Sequence, residues 1–244
     1  MKGMRYYPPK IYSDIPYLSE NERFVFPPAE KSGGAIVAIG GNLSPGMLLS
    51  AYEQGIFPWY SEGEPILWQS PDPRFVIFPE KLHISTSMRK VFKKKQFEVH
   101  FDRDFAGVIK NCAYIPRPWQ AGTWLTDEMI DAYITLHKLG FAHSAESYIA
   151  GELVGGCYGV KLGRVFSGES MFTKVSNASK AAFLTLARFL FDQGVLFIDS
   201  QVYTPYIESL GGQNMKRSDY LILLRTTLSL SKSYRDENRC AWAY

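Results

Sequence analysis

The clearest periodicity lies in NASKAAFLTLARFLFDQG, residues 177–194. Phe183, Leu186, Ala187, Leu190 and Phe191 recur at the spacing of one helix face, with Asn177 as N-cap and Gly194 as the stop. TDEMIDAYITLHKLG predicts a second helix, capped by Thr126, with Asp127 and Glu128 in the first turn where the dipole favours acids, and ended by Gly140. Between these helices, AHSAESYI, ELVGGCYGV and RVFSGESMF read as an antiparallel meander, punctuated by Ala150-Gly151 and Leu162-Gly163. VLFIDSQV follows as a strand. Alternation along it places Asp199 and Gln201 on one face, opposite Leu196, Ile198, Ser200 and Val202. A carboxylate and a carboxamide there need partners if buried, and a strand end in solvent would need none.

The first third of the chain follows different rules. GGNLSPGMLLSAYEQG predicts a helix with Ser44 as N-cap, Pro45 at its first position and Gly55 past its end. Behind it, IFPWYSEGEPILWQSPDPRFVIFP is dense in proline and large aromatics, a pattern poor for regular structure but suited to a rigid, aromatic-lined surface. A boundary near Pro71 to Pro73 divides the chain into residues 1–72 and 73–244. The order helix, meander, helix, strand makes the fold α+β, a mixed α/β arrangement.

At 244 residues, with 46% hydrophobic and 21% charged positions, the composition is that of a globular protein with a substantial core. No apolar run approaches the roughly 20 residues of a membrane span, and the start lacks a signal-type apolar segment, so a cytoplasmic protein with no membrane contact is expected. Cys112, Cys157 and Cys240 are far apart and form no CxxC pair. The four histidines show no ligand spacing, so no metal is expected. Net charge is only +3, but MRKVFKKK concentrates Arg89, Lys90, Lys93, Lys94 and Lys95. If that span is helical, Arg89 and Lys93, and Lys90 and Lys94, share a face, with Val91 and Phe92 as anchors. A solvated basic surface and a phosphate-binding stripe are both open on this ground alone.

The element order resembles the acyltransferase fold of the GNAT type. In that fold the helix after the fourth strand opens at a glycine-rich turn that cradles a coenzyme pyrophosphate. Here the junction is TKVSNASK, with no glycine, so a coenzyme A donor is not expected. GIFPW, WQSPDPR, GTWL, LVGGCYGV, FSGESMF, NASK and IDSQ closely resemble, in order and spacing, the bacterial leucyl/phenylalanyl-tRNA-protein transferases, from FPPAE at Phe26 to SLGG and MKRSDYLILL. The resemblance implies a small N-terminal domain and a GNAT-like catalytic domain. It implies transfer of Leu, Phe or Met from aminoacyl-tRNA to a protein's N-terminal Arg or Lys, creating a degradation signal, with no cofactor, ATP or metal.

It also implies roles. Asp199 and Gln201 match the pair acting on the attacking amine, Asp199 orienting Gln201. Glu169 faces the same site and adds negative charge for the cationic terminus. Cys157, Met171, Leu186 and Ile198 match the pocket for the transferred side chain, Cys157 being smaller than the Met expected there. Trp59 and Trp124 match tryptophans on which the terminal adenosine stacks; apart from the resemblance, core tryptophans are the plainer reading. Arg74 and Lys81 join the Arg89–Lys95 stripe as expected phosphate contacts. Tyr148 stands where the family often has Trp, and Tyr206 replaces a common His. A monomer suffices for this chemistry. Competing readings are a coenzyme A-dependent N-acyltransferase, disfavoured by the glycine-poor turn, and a non-catalytic RNA-binding module, which leaves Glu169, Asp199 and Gln201 unused. A serine hydrolase is excluded by the missing last glycine of GxSxG.

Overall fold

The computed structural model describes residues 8–115 and 125–230. Two sheets organise the chain. The smaller contains β1 (Lys10–Tyr12), β2 (Ile36–Gly40), β3 (Phe57–Pro58) and β4 (Leu67–Gln69) in the order β1-β2-β4-β3, with helix α1 (Pro45–Glu53) inserted between β2 and β3. Seven strands form the larger: β5 (Arg74–Ile77), β6 (Glu98–Phe101), β7 (Ala142–Ile149), β8 (Glu152–Leu162), β9 (Val165–Thr173), β10 (Phe197–Asp199) and β11 (Gln213–Met215). Their order is β11-β5-β10-β9-β8-β7-β6. The other α-helices among the described residues are α2 (Thr86–Lys93), α3 (Phe105–Tyr114), α4 (Asp127–Lys138), α5 (Ala178–Asp192), α6 (Pro205–Glu208) and α7 (Arg217–Leu230).

The expected meander is β7-β8-β9, antiparallel throughout. β10 instead runs parallel to β9, a pairing that needs a long crossover, and α5 supplies it. Alternation along these strands separates two apolar clusters. Tyr158, Phe172 and Phe197 join Met47, Trp68, Tyr133 and Tyr220 on one face. On the other, Cys157 and Ile198 join Phe75, Phe183 and Leu186. The first cluster is continuous across both sheets. Arg217 fastens the same junction: its guanidinium donates to the carbonyls of Ser32, Gly34 and Ser70, and its N–H to Asp72.

Several local expectations change. The proline-rich segment after α1 is not irregular; it supplies β3, β4 and β5, because short strands tolerate proline at an edge, where β3 lies. Asn177 does not cap α5 through its side chain; it adopts a left-handed φ of 70°. Ser44 likewise makes no side-chain cap. The strand in VLFIDSQV stops at Asp199, and Gln201 has φ 64°, so the two share no extended strand face. The basic span is helical only as far as Lys93: Lys94 is the C-cap and Lys95 lies past the end at φ 49°, while Ser85 caps the start and Met88, Val91 and the partly buried Phe92 anchor the helix.

Helix α5 sits hard on β8. A Cβ added at Gly155 would lie 2.5 Å from the Ala178 Cβ and 2.8 Å from the Ser179 nitrogen, both at the helix start. Gly155→Ala should therefore cost about 1–3 kcal/mol, read as a lowered urea midpoint. An unchanged midpoint would contradict this packing.

Candidate active site

A cavity of about 670 Å³ opens between β8, β9, the start of α5 and the loop after β10. Its apolar wall includes Cys157, Met171, Phe166 and Phe183. Cys157 and Met171 are register partners on neighbouring strands, so their side chains lie together on the same sheet face. Glu169 and Gln201 line the same cavity, and Trp59, 40% exposed, stands at its edge.

Asp199 lies beneath this surface, fully buried. Arg74 Nε donates to its Oδ1 at 2.8 Å and Nη2 to its Oδ2 at 2.6 Å, a bidentate ion pair. The Tyr220 hydroxyl donates to Oδ2 at 2.8 Å, and the backbone N–H of Gln201 donates to Oδ1 at 2.9 Å. Asp199 thus holds the backbone of Gln201 and not its side chain. The carboxamide is oriented from elsewhere: Nε2 donates to Glu169 Oε1 at 2.8 Å. Glu169 Oε2 accepts from Tyr133 at 3.2 Å, and the Tyr133 hydroxyl meets that of Tyr52 at 2.5 Å.

Burial pushes the Glu169 carboxyl up to about 7; the nearby charge of Asp199 adds to the rise, while bonds from Tyr52, Tyr133 and Gln201 oppose it. Burial also raises the hydroxyls of Tyr52 and Tyr133 well above the usual phenol range, and the charge of Glu169 adds to both. At neutral pH they act as hydrogen-bond donors, not as bases. For Arg74, burial works against the charge, but Asp199 outweighs it and the guanidinium is held above its ordinary value.

Arg74 is therefore not a phosphate contact. Its side chain is 1% exposed and its donors face Asp199, Tyr220 and the Gly55 carbonyl. Lys81, Arg89, Lys90, Lys93, Lys94 and Lys95 are exposed, and none lines the cavity. Leu186 and Ile198 are buried in the cluster behind the apolar wall and do not reach the cavity surface. Trp124 and Cys240 fall outside the described residues. Among those described, no group of three or more His, Cys, Asp or Glu is placed to hold a metal ion, and no helix is long and apolar enough to cross a membrane.

Sequence reasoning missed Tyr52, Tyr133, Tyr220 and Phe183 as site residues. Tyr133 falls in the helical register of buried Met129, Ile130 and Leu136, and reads as plain core.

The model of the leucyl/phenylalanyl-tRNA protein transferase family matches residues 76–225, and that of the family's N-terminal domain matches residues 41–72. The chain belongs to this family. A leucyl/phenylalanyl-tRNA–protein transferase of Myxococcus xanthus is 51% identical over 210 residues, covering 85% of this chain and 89% of that protein. Family members of the same name from Azoarcus sp. and Flavobacterium johnsoniae are each 50% identical, covering 84% and 82% of this chain and 88% and 95% of their own lengths. Among solved structures, L-PGS from Bacillus licheniformis is similar at 13% identity with a TM-score of 0.40, over 64% of this chain and 65% of that one. That likeness is too slight to place the fold. The α+β class rests on the two sheets themselves.

Glu169 makes stability depend on pH. Its ordinary value is 4.5 and its folded value about 7, so across that window the folded chain binds the extra proton and stability falls as pH rises. Glu169→Gln removes its share of this dependence, while Glu146, also pushed up to about 7 by burial, keeps its own in both proteins. Between pH 4.5 and 8 the variant should gain on the order of 1–2 kcal/mol relative to the parent in urea unfolding, and a pH-independent difference would refute the shift.

Proposed function

We propose that the cavity is the transfer site, where Leu, Phe or Met carried by tRNA is joined to the N-terminal Arg or Lys of an acceptor protein. The observation that carries this reading is the meeting, in one cavity, of an apolar wall at Cys157, Met171 and Phe183 with the polar pair Glu169 and Gln201. The aminoacyl side chain fills the apolar part, with Leu186 and Ile198 supporting its wall from behind. Met171 adapts to branched and aromatic groups alike. Trp59 offers its exposed face to the terminal adenosine, and the Lys81 and Arg89–Lys95 surface takes tRNA phosphates.

Little acid–base chemistry is required. The ester is already activated, and a terminal amine with a pKa of about 7.7–8.0 has an appreciable neutral fraction at neutral pH. Because Glu169 occupies the Nε2 of Gln201, the carboxamide Oε1 is the atom left for the incoming amine. A carboxamide is too weak a base to take the proton. The amine nitrogen attacks the ester carbonyl, the C–N bond forms, the C–O bond to ribose breaks, and the proton leaves with the ribose oxygen or through water. Alignment supplies most of the acceleration, and effective molarity can provide on the order of 7–11 kcal/mol. Glu169, when charged, favours the cationic terminus. The product is a degradation signal in the cytoplasm, and residues 1–72 act as a support domain for residues 73–244 in a monomer.

Radiolabelled Phe-tRNA and a peptide beginning with Arg, mixed with the protein without ATP, should yield labelled peptide. Gln201→Ala should lower the transfer rate about a hundredfold at unchanged tRNA affinity. No transfer by the parent chain, or equal losses of rate and affinity in the variant, would contradict the assignment.

A further inference from the structure

The chemistry proposed above makes no use of the Arg74 guanidinium, although this group lies against one wall of the cavity at Phe57 and reaches another at Gln201 through Asp199. On one side Nε and Nη2 grip Asp199, whose Oδ1 fixes the Gln201 N–H. On the other, Nη1 donates to the Gly55 carbonyl at 3.2 Å, and the guanidinium carbon lies 4.9 Å from the Phe57 ring centre. Phe57 in turn stacks near Trp59, at 6.4 Å and 27°. Tyr220 closes the remaining side, its ring 4.6 Å from the same carbon and its hydroxyl on Asp199.

We propose that Arg74 is a positioning residue that sets the aromatic platform at Trp59 relative to the carboxamide of Gln201, with Tyr220 as its clamp. The proposal rests on reading the cavity as the transfer site. A planar fork with five donors suits the task, because one rigid group serves a carboxylate, a backbone carbonyl and two ring faces in fixed relation. Lysine has one donor centre on a flexible stem and cannot join both walls. The fixing matters most at Gln201, a non-glycine residue at φ 64° whose N–H is tied to Asp199. If the donor adenosine sits on Trp59 and the amine on Gln201, the guanidinium sets the distance between the reactants. A misplacement of about 1 Å there can cost a hundredfold in rate.

The test uses a donor without phosphates, 3′-O-phenylalanyl-adenosine, with a peptide beginning with Arg. Arg74→Lys should lower kcat/KM for this nucleoside about tenfold or more, through a higher donor KM and a lower kcat together. Tyr220→Phe removes one bond to Asp199 and one from Arg74 but leaves the Arg74 contacts with Gly55 and Phe57 in place, and should lower kcat about three- to tenfold at unchanged donor KM. In both variants the salt slope of tRNA affinity should match the parent. Parent rates in both variants would overturn the proposal, as would a salt slope reduced by about one in Arg74→Lys, the mark of a lost phosphate contact. If Arg74→Lys does not fold, as judged by circular dichroism, the kcat of Tyr220→Phe decides alone. A parent chain inert even with charged tRNA would refute the transfer reading, and this proposal with it.

Discussion

A buried ion pair between Arg74 and Asp199 is the constraint on which the site depends. Removing both charges from water is costly, and such pairs are retained only where geometry is good and the remaining lone pairs are satisfied. Here Asp199 accepts four hydrogen bonds, from Arg74 twice, Tyr220 and Gln201. The pair also lies where the parts of the chain converge. Arg74 opens β5, Asp199 ends β10, Tyr220 comes from α7, and the Gly55 carbonyl follows α1. The crossover helix α5 is what lets β10 return beside β9, and so what delivers Asp199 and Gln201 to the cavity.

Above this buried layer the site is nearly free of charge. Among the described residues Glu169 is the one carboxylate that lines the cavity, and burial pushes its carboxyl up to about 7. Its partners Tyr133 and Gln201 are neutral donors. An environment of this kind suits a reaction in which a neutral amine attacks a neutral ester, where strong fixed charge would favour the unreactive ammonium form. It also explains the absence of any need for a strong base in the proposed chemistry. The apolar wall and the polar pair being parts of one cavity, donor and acceptor can be held within reaction distance.

Much of this was legible in the sequence, but unevenly. Helices α4 and α5 announce themselves by apolar period and by the glycines that end them, and the meander between them by its turn residues, although its strands bury both faces. The apolar positions of α3 and α7 are mixed with polar ones, and in α7 these find partners far along the chain, Arg217 on the Ser32, Gly34 and Ser70 carbonyls and Arg225 on Glu30, so neither helix shows a clean face in the sequence. The adjacency of Asp199 and Gln201 was legible for the wrong reason: the link is a backbone bond at a left-handed residue, not a shared strand face. Arg74 precedes a basic stripe in the sequence and so reads as surface, and only the return of β10 to β5 shows that it is buried. The tyrosines escaped notice because their hydroxyls find partners from distant elements, Tyr52 from α1 meeting Tyr133 from α4.

The most direct measurement is a crystal structure with a non-hydrolysable amide analogue of phenylalanyl-adenosine and a short peptide beginning with Arg. The phenyl ring should lie against Cys157, Met171 and Phe183, the adenine on Trp59, and the peptide amine about 2.7–3.2 Å from Gln201 Oε1. A phenyl ring bound outside this cavity, or an amine held on another face of the molecule, would contradict the account.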